Sequence, residues 1–312
     1  VSAGSTGQER RDHLDSLAVL LIVLCCFLWG LQQVAVKAIL PEAPPLFQGA
    51  LRSLGAALLL WGWSALRGVE LWQRDGTLLP GILAGLLFGG EFACIYLGLP
   101  HTSASRLIVF LYTAPFVLVA LLSWRLPSER LAPLQLTGMV CAFAALAYAF
   151  QEGFGEGKPD QLLGDALAIG GAVLWALTTL VVRATPLSGA SPEKTLLYQL
   201  AVSAILLAIA SLAIGESWPR TVSLLTVASL LFQTVIVAFA SYLAWFWLLR
   251  HYAATKVSAF SFLTPMFGLL QGTLLLGEAV STRLVVALVF VAAGIYLVNR
   301  PAATRAPRAV SR

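Results

Sequence analysis

Ten apolar runs of about 20 residues, parted by short polar breaks, constrain this chain more than any motif it contains. They fall near 17–38, 46–66, 78–98, 104–123, 132–150, 162–182, 194–214, 222–248, 256–276 and 281–299. A helix of about 20 residues crosses the roughly 30 Å of a bilayer's hydrocarbon core. In water so much apolar surface would have nothing to bury against: 59% of the 312 residues are hydrophobic and 11% charged, where soluble domains carry about 25% charged residues. The runs are twice as long as a tilted barrel strand needs and lack its alternation. The expected fold is an all-α integral membrane protein with ten transmembrane helices. The breaks have turn chemistry, as in Pro41–Glu42–Ala43–Pro44–Pro45, Arg74–Asp75–Gly76, Pro127–Ser128–Glu129 and Gly277–Glu278. They leave no room for an extramembrane domain. The polar start followed by a run too long for a signal-peptide core predicts that the first run is retained as a span.

Basic residues orient the spans, because Lys and Arg collect on the cytoplasmic side. With the N-terminus inside, the inner segments hold Arg10 and Arg11, Arg67 and Arg74, Arg125 and Arg130, Arg183 and Lys194, Arg250 and Lys256, and the arginines from Arg300 onward. The outer loops hold single basic residues such as Lys37, Arg106, Lys158, Arg220 and Arg283. Both termini are therefore expected in the cytoplasm, which gives the formal charge of +5 a topological meaning and leaves no reason to expect a nucleic-acid partner.

The halves resemble each other in order. Leu28–Trp29–Gly30 runs on to Lys37 as Leu174–Trp175–Ala176 runs on to Arg183. Ala104–Ser105–Arg106, Phe110 and Pro115 match Ala254–Thr255–Lys256, Phe260 and Pro265 at a constant offset of 150 residues. Five spans per copy is an odd number, so the second copy would enter the membrane upside down, the inverted repeat common in secondary transporters. The expected organisation is a cytoplasmic segment (1–16), a first five-helix repeat (17–150), an extracytoplasmic linker (151–161), a second repeat (162–299) and a basic cytoplasmic tail (300–312).

Polar and aromatic residues inside spans are the candidates for a solute path. Positions four apart share a helix face, so Trp29, Gln33 and Lys37 form one stripe and Trp175, Thr179 and Arg183 its counterpart. Arg52 and Glu91 lie within the second and third spans, where an isolated charge needs a partner or a wet cavity; a structural ion pair and a solute or proton site are both open readings. Phe88, Tyr96, Tyr112, Tyr198, Trp245 and Phe246 offer rings to an apolar solute, and ordinary helix packing also accounts for any one of them. Pro115 and Pro265 predict kinks or gating hinges at matching places, with Thr113 and Thr264 near enough to satisfy loosened backbone groups. Gly81, Gly85, Gly89 and Gly90 allow close helix approach.

No phosphate-binding loop, paired hydrolytic acids or metal-ligand spacing is present. The four cysteines lie in apolar runs and read as buried thiols. Neither an enzyme nor a bound cofactor or metal is expected. A membrane scaffold or enzyme, the competing class, would show no transmembrane flux.

In Phe27–Leu28–Trp29–Gly30, Pro45 with Arg52, Tyr112–Thr113–Ala114–Pro115–Phe116, Phe262–Leu263–Thr264–Pro265–Met266 and Gly277–Glu278, the chain resembles the drug/metabolite transporter superfamily, in its ten-helix EamA-like branch. The likeness spans about residues 16 to 300 and is nearest to the branch's aromatic amino acid exporters. It implies a bacterial inner-membrane carrier with a central cavity and export of amino acids, aromatic or other apolar ones favoured; one duplicated chain that already holds both halves of a transporter is expected to work as a monomer. The alternative is a broad-specificity metabolite or cationic-drug exporter of the same superfamily. The substrate-binding residues expected are Trp29, Gln33, Arg52, Phe88, Glu91, Tyr96, Tyr112, Trp175, Thr179, Tyr198 and Trp245.

Overall fold

The computed structural model describes residues 14–102, 104–126, 129–154, 160–217, 222–275 and 282–300. Arg10, Arg11, Pro127, Ser128, Lys158, Arg220, the Gly277–Glu278 turn and the tail beyond Arg300 lie outside them. Among the described residues the protein is all-helical, in ten helical segments with no strand, and six helices are long and apolar enough to cross a membrane. The first three segments are α1 (Ser16–Ala38), α2 (Pro45–Leu66) and α3 (Leu78–Gly98). The fourth is divided into α4 (Ala104–Leu111) and α5 (Ala114–Arg125), and the fifth is α6 (Pro133–Ala149). Then come α7 (Gln161–Ala184) and α8 (Pro192–Ala213). The eighth segment joins α9 (Leu224–Leu231) to α10 (Tyr242–His251) through a wider π-helical stretch, Phe232–Ser241. The ninth joins α11 (Ala254–Ala259) to α12 (Leu263–Leu275) through one tight turn, Phe260–Phe262, and α13 (Thr282–Asn299) is the tenth.

Local chemistry explains most starts and stops. Pro45, Pro133 and Pro192 open α2, α6 and α8, where a missing N–H costs nothing. Asp15, Ser191 and Ser223 cap α1, α8 and α9 by accepting backbone N–H bonds. Gly68, Gly76 and Gly215 close turns with positive φ. The fourth span, expected to kink at Pro115, is divided just before it: proline cannot donate to the Leu111 carbonyl, and Thr113 Oγ1 turns back to Phe110 O at 2.7 Å. Pro265 likewise sits in the first turn of α12, just past the tight turn, where Ser261 Oγ donates to Ser258 O at 2.6 Å. The two breaks fall at matching places. The π stretch was not to be expected, since Phe232–Ser241 contains neither proline nor glycine.

Large side chains such as Leu20, Leu58, Leu162, Ile205, Leu274 and Val289 are exposed. That belt requires lipid, while the helices satisfy their own backbone groups. Inside, α1 packs on α12, α7 on α5, α2 on α8, and α6 on α13. Small residues set the closest approaches. A Cβ on Gly138 of α6 would stand 2.6 Å from the Gly294 carbonyl of α13, and one on Gly30 of α1 2.7 Å from the Gly268 nitrogen of α12. Gly81, Gly85 and Gly89 of α3 face Tyr198, Val202 and Ser203 of α8 in the same manner.

Polar clasps join helices near both ends. At one end Lys194 Nζ meets Asp75 Oδ2 at 2.8 Å, the Tyr252 hydroxyl donates to Asp15 at 2.8 Å, and Arg183 pairs with Glu129. At the other, Arg106 and Thr102 bind Asp165, Glu216 accepts the Leu46 and Phe47 N–H groups that open α2, and Glu42 accepts from Ser223 and Thr226.

Candidate functional site: an aromatic cavity between the halves

Between α1, α3 and the start of the α4–α5 break on one side, and α7, α8, α10 and α12 on the other, lies a cavity of about 140 Å³. Aromatic rings make up much of its wall. Trp29 stands edge-on to Tyr242 and Trp245, at centroid distances of 5.9 and 5.1 Å, and its indole N–H donates to Ser241 Oγ at 2.8 Å. Ser241 in turn donates to Val237 O inside the π stretch. Trp175 stands edge-on to Tyr112 at 5.7 Å, and Phe88 meets both Phe92 and Tyr242 edge-on. Such edge-to-face pairs hold rings in fixed orientations.

The polar lining is of two kinds. Thr178 and Thr179 return their hydroxyls to carbonyls of their own helix, Leu174 O and Trp175 O. Gln199, by contrast, is fully buried with neither its amide nitrogen nor its amide oxygen hydrogen-bonded, and Thr264 Oγ1 also lacks a partner. Buried polar atoms without partners are uncommon, and each calls for an explanation. Glu91 lines the same space, and among the described lining residues Gln33 alone is exposed.

Eight of the eleven substrate-binding residues expected from the sequence border this cavity: Trp29, Gln33, Phe88, Glu91, Tyr112, Trp175, Thr179 and Trp245. Three do not. Arg52 lies behind the wall, its guanidinium carbon 4.3 Å from the centroid of the Phe92 ring that screens it. Tyr96 packs on the same Phe92 at 6.1 Å. Tyr198 fills the space left by Gly81, with its hydroxyl 3.3 Å from Thr77 Oγ1. Pro115 sits beside Trp175, Ala176 and Ser258 where α5, α7 and α11 meet. Thr113 does satisfy a backbone carbonyl, whereas Thr264 faces the cavity with its hydroxyl unpaired. Gln32, Phe92, Gln199 and Tyr242 line the cavity without having been singled out, and Phe246, one of the mid-span rings named from the sequence, lines it too. Gln199 had a signal: it follows Pro192 by seven residues, as Arg52 follows Pro45.

The Val182 and Leu249 part of the wall is braced from behind. Arg183 donates to Leu249 O at 2.8 Å and pairs with Glu129, whose oxygens also accept from Ala254 N, Thr255 N and Thr255 Oγ1 at 3.2, 3.1 and 3.1 Å. Among the described residues no group of His, Cys, Asp or Glu has the placing of a metal site. The cysteines are free thiols, with Cys25 and Cys26 donating to Ser241 O and Phe260 O.

The chain is thus a multi-pass helical membrane protein with a partly polar, aromatic-rich cavity among its helices. It belongs to the EamA-like transporter family, whose sequence pattern matches residues 16–151 and again 162–300. The chain is 28% identical, over 90% of each chain, to the Bacillus subtilis "Uncharacterized transporter YvbV". It is 26% identical to a Salmonella typhimurium "Probable amino-acid metabolite efflux pump", over 93% of this chain and 95% of the relative. A protein of the same description from Escherichia coli is equally similar. A crystal structure with 22% identity shares the fold, at a TM-score of 0.76 over 91% of this chain and 98% of its own. None of these relatives is described as an aromatic amino acid exporter.

Proposed function

We propose that the protein is an alternating-access carrier that exports a broad range of small metabolites from the cytoplasm, each joining an aromatic or apolar body to a hydrogen-bonding end. The observation that carries this reading is the cavity, where the rings of Trp29, Trp175, Tyr242 and Trp245 surround unpaired polar atoms of Gln199 and Thr264. Flat aromatic walls accept apolar groups of many shapes, and their faces attract cations. Glu91 adds an acidic group, which suits amine-bearing solutes, drug-like cations included. Amino acids are the second reading, favoured by what the Salmonella and Escherichia relatives are said to move.

Alternation is supported by the pairing of segments. Contacts of α1 with α12 recur as α7 with α5, while α2 meets α8 and α6 meets α13. That pairing supports a reading of two five-span repeats related by a twofold axis in the membrane plane. The family pattern matching twice agrees with it. The basic residues favour an inner-membrane orientation with Arg183 and Lys194 on the cytoplasmic side, and one chain holding both repeats favours a monomer. Purified protein in liposomes should carry phenylalanine, tryptophan, methionine, threonine, phenethylamine or a quaternary drug cation faster than empty liposomes do. Flux at the empty-liposome level for every member of the panel removes the carrier reading.

A further inference from the structure

Arg52 is 1% exposed, and none of its three guanidinium nitrogens has a hydrogen-bond partner. The Tyr242 hydroxyl, the Tyr96 hydroxyl and the Glu91 carboxylate are the ionisable groups around it; the Tyr242 hydroxyl is near enough to interact, but no hydrogen bond of good geometry joins any of them to the guanidinium. An arginine keeps its charge in a protein, and a buried cation without hydrogen bonds is costly within a membrane. Its one close neighbour of note is the face of Phe92, a cavity-wall residue. Gln199 stands at the equivalent point of the other half, seven residues after the proline that opens its helix, and is equally buried and equally unpartnered. Two related positions thus hold polar side chains that the protein itself leaves unsatisfied. One faces the cavity; the other lies one ring behind it.

We propose that Arg52 is the receptor for a carboxylate on the transported solute, reached when the Phe92 ring turns aside, with Gln199 binding the solute's polar end from the second half. This rests on the carrier reading above and names the solute class within it. A guanidinium offers a planar fork of N–H donors that matches a carboxylate's two oxygens. A singly charged anion fits better than a phosphate, because the described cavity lining contains no lysine or arginine and does contain Glu91. Glu91 is then placed to meet an ammonium group on the same solute, so that a zwitterion satisfies both buried charges.

Four probes with one ring separate the possibilities: 3-phenylpropionate, phenylalanine, phenylalaninamide and phenethylamine. Binding to purified protein is read by quenching of tryptophan fluorescence, since Trp29, Trp175 and Trp245 line the cavity, and flux is measured in liposomes. Wild type should bind the two carboxylates at least tenfold more tightly than their carboxylate-free counterparts. R52Q should abolish that preference while phenethylamine affinity stays within about twofold, and R52K should keep part of it. If R52Q yields no monodisperse protein, R52Q/E91Q, which removes both buried charges together, must abolish the preference for phenylalanine over phenylalaninamide, two probes that share the ammonium group and differ only at the carboxylate. Carboxylate affinity retained in either variant overturns the proposal, as does a wild type that binds the amines as well as the carboxylates; flux of the amines would then leave the carrier reading standing. Absence of flux for all four probes defeats both.

Discussion

Arg183 of α7 and Glu129, in the connection between α5 and α6, form a buried ion pair that joins the two halves beside the cavity wall. Each partner is further held by the backbone: Arg183 by Leu249 O, and Glu129 by the N–H groups that open α11. Removing one partner of such a pair leaves the other charge buried alone, at a cost of roughly 3–5 kcal/mol. E129Q keeps the shape and loses the charge. Its melting temperature in detergent should fall well below wild type, and an unchanged midpoint would show that the pair is dispensable.

Asp75 supplies a pH test in a connection outside the spans. Its hydrogen bonds with Lys194 and Thr77 hold its carboxyl below the ordinary value of 3.8, at about 2. A carboxyl whose folded pKa is depressed contributes stability that is present above its unfolded pKa and is lost as pH falls through the folded one. Wild type should therefore lose more stability than D75N between pH 5 and pH 2. Parallel melting curves for the two proteins over that range would count against the clasp.

Trp175 distinguishes recognition from packing. If its ring contacts the solute, W175A should lose turnover for large apolar solutes more than for small ones, with transport expressed per folded molecule. If the ring only fills space against Tyr112, the change should cost roughly 3–5 kcal/mol of stability and reduce yield instead. Wild-type turnover and preference in purified W175A sink the cavity role.

The α6–α13 seam should tolerate no side chain at its closest point. A Cβ at Gly138 would meet the Gly294 carbonyl at 2.6 Å and the Leu297 side chain at the same distance. Backbone cannot yield as a flexible side chain can. G138L should aggregate or melt many degrees lower by size-exclusion and thermal assay, whereas G189A, with nothing within 4 Å of its new methyl group, should behave as wild type.

Topology is open to a chemical test on a cysteine-free background. Single cysteines at Pro100, between α3 and α4, and at Gly189, between α7 and α8, should react with a membrane-impermeant thiol reagent from opposite sides. Labelling of both from one side breaks the five-plus-five arrangement.

Span positions were legible because lipid asks only for length and apolarity: the run near 46–66 became Pro45–Leu66, and that near 78–98 became Leu78–Gly98. The proline breaks were legible too, since Pro115 and Pro265 remove a donor wherever they stand. The π stretch was not, because its residues are ordinary helix and sheet formers. Trp29 and Trp175 were found through their matching spacing, and Glu91 through its charge. Phe92 and Tyr242 passed unmarked, since one aromatic among many carries no sign of which face it will take. Arg52 was conspicuous as a charge, yet its screening by Phe92 depends on how α2 and α3 pack, which no local pattern records.

The π stretch before Tyr242 has a consequence for how this segment tolerates insertions and deletions. An α-helix advances about 100° per residue, and a π-helical segment holds surplus residues within the same hydrogen-bonded column. Deleting one residue between Phe232 and Ser241 would let the column tighten toward ordinary turns without breaking the helix. Everything after it would keep nearly its phase, holding Tyr242, Trp245 and Phe246 on the cavity, whereas the same deletion from a regular α-helical stretch would swing them by about 100°. The stretch therefore buffers the rotational phase of the wall: a single lost codon there would leave a protein that still inserts, spans and shows the same rings to its cargo.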